Sequence, residues 1–230
     1  MTTTTLSTPT TKPAVSAISG VAARKFATEA IGTMFLVLTV GVAVNTVGAM
    51  APLAIGAILM AMVYAGGHVS GAHYNPAVTL AILIRRRIEL REAIGYWISQ
   101  LGGALAGVAM AALIAPSHAE PLHRSGQAMI AAMVAELLFT FALCYVVLNV
   151  ATSKDHPKNA FYGIAIGIAV VAGAVTAGHV SGGALNPAVV LGGAAVGSIS
   201  AAMILPYLIA HAVAAVAAAL TFRFLNPDDK

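Results

Sequence analysis

The sequence predicts an all-α membrane protein in which six transmembrane helices and two re-entrant half-helices form an inverted repeat. Three observations carry this expectation. Hydrophobic residues make up 59% of the 230-residue chain and charged residues only 9%. Lys and Arg are sorted to one side of the apolar runs, and a twelve-residue block occurs twice. At this composition a water-soluble globule would have too little polar surface to cover itself, so the bilayer is the expected solvent.

Residues 1–23 are rich in Thr, Ser, Ala and Pro and nearly uncharged, which predicts a disordered tail. Arg24 and Lys25 ahead of an apolar run imitate a signal peptide. The run is about twenty residues long and similar runs follow it, which argues for a span instead. Spans are expected at 26–45, 52–65, 92–115, 128–150, 161–177 and 201–224. The second is short of the usual ~20 residues and can gain length at either end. One domain covers 24–225, in two halves of about 24–115 and 126–225, followed by a short tail, 226–230.

With the amino terminus inside, the inner segments collect Lys12, Arg24, Lys25, Arg85, Arg86, Arg87, Arg91, Lys154, Lys158, Arg223 and Lys230. Only Arg124 of the 12 basic residues falls outside. Both termini are therefore expected in the cytoplasm, which agrees with an even number of spans. The formal charge of +4 reflects this sorting, and nucleic acid is not an expected partner. Cys144 lies in an apolar run with no intrachain partner, so no disulfide framework exists.

Two stretches, 66–84 and 178–196, remain outside the spans. GHVSGAHYNPAV (67–78) and GHVSGGALNPAV (178–189) agree at nine of twelve positions at an offset of 111, the mark of internal duplication. Glu29 and Glu136, each followed four residues later by Thr33 and Thr140, echo it. Three spans separate the copies, so the halves are opposed and the copies enter from opposite faces, with their site near the midplane.

In each copy an Asn precedes Pro-Ala and an apolar run, 78–84 or 189–196. Asn is a favoured N-cap and Pro at the first turn loses no helical hydrogen bond. About ten residues rise roughly 15 Å, half the hydrocarbon thickness. Gly67, Gly71, Gly178, Gly182 and Gly183 suit an irregular approach to these helices, allowed at membrane depth only when buried or lining a water-filled path. Two half-helices meeting amino end to amino end concentrate positive potential where Asn75 and Asn186 present donors, which disfavours cations and protons.

The paired motifs Asn75-Pro76-Ala77 and Asn186-Pro187-Ala188, the SGAHYNPAV segment and the two membrane glutamates resemble the aquaporin and glycerol-facilitator family over about residues 25–224. The resemblance implies a homotetramer with a pore through each protomer, in a plasma membrane of bacterial inner-membrane type, passing water and small uncharged solutes. It also implies a filter at Ile55, Ala174, Gly183 and Val189. Water-selective members of the family carry an aromatic, a His and an Arg there, and this chain has none of the three. A wider, less polar opening is expected, admitting glycerol, urea-like molecules or undissociated metalloid acids such as arsenite, with a strict water channel as the alternative. Mercury-sensitive members often carry Cys at the position of Gly183.

Glu29 and Glu136 are expected to support the loops by accepting their hydrogen bonds, against an ion or proton relay. His73, with His68 and His179, is expected to bond loop backbone. No second ligand type accompanies these histidines at metal-binding spacing, and no cofactor or metal is expected. His211 reads as a packing or lumen residue, and His118 and His123 as solvated. Arg85, Arg86 and Arg87 read as membrane anchors beside anionic lipid or a helix's negative end. Gly102, Gly103, Ala106 and Gly107 suit close helix packing. A secondary transporter is the rival class, lacking here a charged substrate site. An enzyme is not expected, because no Ser/His/Asp or Cys/His cluster recurs at usable spacing.

Overall fold

The computed structural model describes residues 14–116 and 120–229, with side chains from residue 20 onward. Eight α-helices lie among the described residues: α1 (Ala14–Thr46), α2 (Ala51–Ser70), α3 (Pro76–Ile84), α4 (Leu90–Ile114), α5 (Gly126–Thr152), α6 (Tyr162–Ser181), α7 (Pro187–Ala195) and α8 (Ile204–Leu225). Short 3-10 turns lead into α2 and α8. Six segments are long and apolar enough to cross a membrane, and α3 and α7 are the two half-helices. Large apolar side chains face outward, Leu113 at 85% and Ile98 at 66% exposure, as contact with lipid requires.

Two boundaries differ from expectation. Helix α1 begins at Ala14, so residues 14–23 are helical where a disordered tail was expected. Past Pro13 the segment holds four alanines, the best helix former, and no proline, so a helix can continue through its single Gly20. Residues 1–13, with Lys12, lie outside the described residues, as do His118 and Lys230. Helix α2 runs on to Ser70, which supplies its missing length. Gly66 and Gly67 stay helical, as does Gly178 in α6. A Cβ on Gly66 would collide with the Tyr74 hydroxyl, so that glycine serves close approach and does not end the helix. The irregular backbone begins at Gly71 and Gly182, whose φ of +85° and +89° is left-handed and favours glycine.

The opposed halves meet about a pseudo-twofold relation visible in single contacts. A Cβ on Gly56 of α2 would lie 2.6 Å from the Gly167 carbonyl of α6, and one on Gly167 2.7 Å from the Gly56 carbonyl. These glycines are related by the same offset of 111 as the duplicated block. Gly103 and Gly107 of α4 likewise lie against the α1 backbone at Ala30 and Met34, while Gly102 faces open space. Small residues here let backbones touch, the means of helix association in lipid.

At one end of the bundle the arginines after α3 meet the chain's carboxyl-terminal residues. Arg85 is buried, stacks 4.6 Å over the Phe222 ring and donates to Asp229 at 2.6 Å. Arg87 also donates to Asp229, at 3.1 Å, and so does the Lys154 N–H, at 2.9 Å. Arg85 is thus a clasp between the halves rather than a lipid anchor, because a carboxylate 144 residues away reaches it first. The tail residue Asp229 is correspondingly packed. Burial works to raise its carboxyl, but hydrogen bonds from Lys154, Arg85 and Ser153 and the Arg85 charge hold it below the ordinary carboxylate value.

Candidate functional site: two crossed loops and the cavity they line

Each half builds its loop on a buried glutamate. Glu29 Oε1 accepts from the Ser70 hydroxyl (2.7 Å) and the His73 N–H (2.9 Å), and Oε2 from the Tyr74 N–H (2.7 Å) and the Gln100 amide (2.9 Å). Glu136 repeats the pattern: Oε1 with the Ser181 hydroxyl (2.7 Å) and Ala184 N–H (2.9 Å), Oε2 with the Leu185 N–H (2.7 Å) and His211 Nε2 (2.7 Å). Four donors on each buried carboxylate offset the cost of placing it there. Both acids are fully buried and neither lines the cavity described below.

Because the glutamates take the loop N–H groups, the loop carbonyls are left over. Those of Ala72 and His73, and of Gly183 and Ala184, accept no hydrogen bond among the described residues. The residues carrying them line the cavity. The loops repeat one backbone conformation: φ is +52° at Ala72 and +62° at Gly183, and +49° at both Tyr74 and Leu185. Left-handed φ at a bulky Tyr or Leu persists only when the surroundings fix it. Here the glutamate bonds do so, together with the notch that Gly32 and Gly66 leave for the Tyr74 ring.

Each loop ends in an Asn that caps a half-helix. Asn75 Oδ1 accepts from the Ala77 N–H at 2.8 Å, and Asn186 Oδ1 from the Ala188 N–H at 2.9 Å. Their amide nitrogens cross over: Asn75 Nδ2 donates to the Leu185 carbonyl and Asn186 Nδ2 to the Tyr74 carbonyl, at 2.8 and 2.9 Å. An amide group has two N–H donors, so each keeps one for the cavity that both asparagines line.

That cavity, about 860 Å³, extends from Asn45 and Glu120 at one end of the bundle to Val147 and Ile166 in the other half of its depth, with Asn75 and Asn186 between. Its walls are mostly aliphatic. Ile55 on α2, Ala174 on α6, Gly183 in the second loop and Val189 on α7 all line it. Gly183 packs directly on Ala174, where a Cβ would lie 3.1 Å from the Ala174 Cα.

His73 supports its loop differently from expectation. Its ring nitrogen pairs with the Thr79 hydroxyl of α3 at 3.1 Å and its ring meets Tyr96 edge-on, so the partner is a side chain. His68 and His179 are exposed, and His123 shares a hydrogen bond with the Ser200 hydroxyl at 3.3 Å. His211 neither packs passively nor lines the lumen; it is the fourth partner of Glu136. Sequence reasoning missed it together with Gln100, Tyr96 and Tyr207. The tyrosine hydroxyls hold the Ser70 and Ser181 carbonyls at 2.6 and 2.7 Å. The signal was present, since the same offset of 111 relates Tyr96 to Tyr207 and Gln100 to His211.

The profile of the major intrinsic protein family matches residues 16–178 and again residues 124–229. The chain belongs to the major intrinsic protein family. It is 36% identical over 221 residues to a glycerol uptake facilitator protein-like 6 of Lactiplantibacillus plantarum, covering 90% of this chain and all of that one. Against aquaporin AqpM of Methanothermobacter marburgensis it is 35% identical over 190 residues, 76% of each chain. Against nodulin-26 of Glycine max it is 33% identical over 220 residues, 90% of this chain and 79% of the other. The solved aquaglyceroporin of Plasmodium falciparum shares the fold at a TM-score of 0.74 and 22% identity, over 87% of this chain and 95% of that one. As a major intrinsic protein the chain is a multi-pass membrane channel, and the crossed loops are where its two halves meet.

Proposed function

We propose that this major intrinsic protein is a passive channel for water and for small neutral solutes wider than water: glycerol, urea-like molecules and undissociated arsenous acid. The observation that carries the reading is Val189 on the cavity wall, an aliphatic side chain with Gly183 packed on Ala174 nearby. A fixed cation or an aromatic at these four positions would narrow and polarise the passage, whereas Ile55, Ala174, Gly183 and Val189 leave it apolar and broad. Solute would shed water against the free loop carbonyls and the remaining Asn75 and Asn186 N–H donors. The two half-helix amino ends would oppose cations there. The name of the Lactiplantibacillus relative points the same way. The arginine-rich end, with both termini, faces the cytoplasm of a bacterial inner membrane on the positive-inside rule, and the channel works as a homotetramer.

The test is shrinkage and reswelling of proteoliposomes in glycerol, urea and arsenous acid, read by light scattering. Accelerated reswelling in each supports the reading. Accelerated water efflux with all three solutes at the empty-vesicle rate overturns it in favour of a strict water channel, and saturable, gradient-driven uptake favours a transporter.

A further inference from the structure

The linker between the halves returns to the cavity at the end opposite the arginines, as a strap over residues 120–124. Its Leu122 N–H donates to the Ser198 carbonyl at 2.8 Å and its carbonyl accepts from the Ser200 N–H at 3.0 Å, an isolated parallel bridge with Ile199. This fastens the strap just beyond α7. Two residues on, Arg124 fastens it to α6: Nε donates to the Val180 carbonyl at 2.8 Å and Nη2 to the His179 carbonyl at 3.1 Å. A guanidinium on the last carbonyls of a helix is well placed against the helix dipole. The strap is thus tied to both elements that flank the second loop.

Between these ties the Leu122 side chain lies over the loop. A Cβ built on Gly182 would be 2.6 Å from Leu122 Cδ2, and Leu122 lines the same cavity as Gly182 and Gly183. Leu122 also packs, as Ala184 does, against a small buried core of Ala132, Val190, Met203 and Tyr207. At Gly182, which stands one residue before Gly183 and offers no side chain of its own, the nearest atoms are those of the Leu122 side chain.

We propose that Leu122 is a fifth specificity-determining residue, which sets the width of solute admitted beside Gly183, and that Arg124 positions it. This rests on the channel reading above. The experiment compares water, glycerol, erythritol and xylitol permeability of the purified full-length protein and its variants in proteoliposomes. Leu122→Ala should raise the erythritol-to-glycerol ratio severalfold with little change for water. Leu122→Phe should depress glycerol more than water, and Leu122→Met, of similar volume, should keep the wild-type profile. Arg124→Gln should move the solute ratio in the direction of Leu122→Ala, a change that a general loss of folded protein does not produce. A folded Leu122→Phe or Leu122→Ala protein with the wild-type solute ratios overturns the proposal. Wild-type protein that passes no polyol contradicts the channel reading instead.

Discussion

The amide of Asn75 donates to the carbonyl of Leu185 across the repeat interface, 110 residues away, at 2.8 Å, while its Oδ1 caps its own half-helix. One side chain therefore holds the end of one loop, the start of one helix and the seam between the halves. Asn75→Ala removes the cap and the seam bond together. An N-cap alone is worth about 1 kcal/mol, and the Leu185 carbonyl would lose a buried partner at a further ~1 kcal/mol or more. Thermal unfolding in detergent should show Asn75→Ala clearly below wild type, and Asn186→Ala lowered to a similar extent.

The four-donor glutamates make a sharper contrast. Glu136→Gln places an amide among the groups that now bond both carboxyl oxygens, so at least one N–H faces another, and a loss of roughly 3 kcal/mol is expected from a buried network left unsatisfied. His211→Gln should cost much less, because Gln100 already plays that part for Glu29 in the first half. Folded yield and melting temperature of the two variants check this ordering.

At the proposed filter positions, Val189→Arg introduces a long cation into the cavity that Val189 lines. Glycerol and urea permeability should fall more than water permeability. An unchanged solute profile in the folded variant would count against placing the filter there.

The Asp229 clasp carries a pH expectation whose sign follows from its lowered carboxyl. A carboxyl lowered on folding contributes stability above its ordinary value of 3.8, lost only as pH falls below that value through the lowered one. Hydrogen exchange at the Lys154 amide should therefore stay equally protected from pH 8 to pH 5, apart from the intrinsic exchange rate. Asp229→Asn should deprotect it throughout that range.

Mercury supplies a negative expectation. Cys144 is 1% exposed in the packed core and does not line the cavity. Micromolar mercury should leave water permeability unchanged, and rapid block would place Cys144 on the path.

The spans and half-helices were legible because hydropathy, sorted Lys and Arg, and Asn-Pro at a helix start are local signals. The loops' dependence on Glu29 and Glu136 was legible through their recurrence. Their remaining partners were not, because a lone Gln100 or His211 in an apolar helix does not announce what it bonds; only the offset of 111 hints at it. Arg85 misled for the same reason, as its partner Asp229 lies 144 residues on. That α2 could run past residue 65 was open from its shortness alone, but where it ends was not, because no local signal announces that Gly66 is a seat for Tyr74. Leu122 carried no signal, since a strap's position depends on tertiary bonds to Ser198, Ser200 and α6.

The central claim is a passage open to neutral solutes and closed to ions where the two loops cross. The most direct measurement is glycerol influx into proteoliposomes carrying an internal pH dye, so that solute flux and proton leak are read on the same vesicles. Glycerol entry well above that of empty vesicles, with proton leak equal to theirs, is the predicted result. Glycerol entry at the empty-vesicle rate, or a proton leak that rises with protein content, would contradict it.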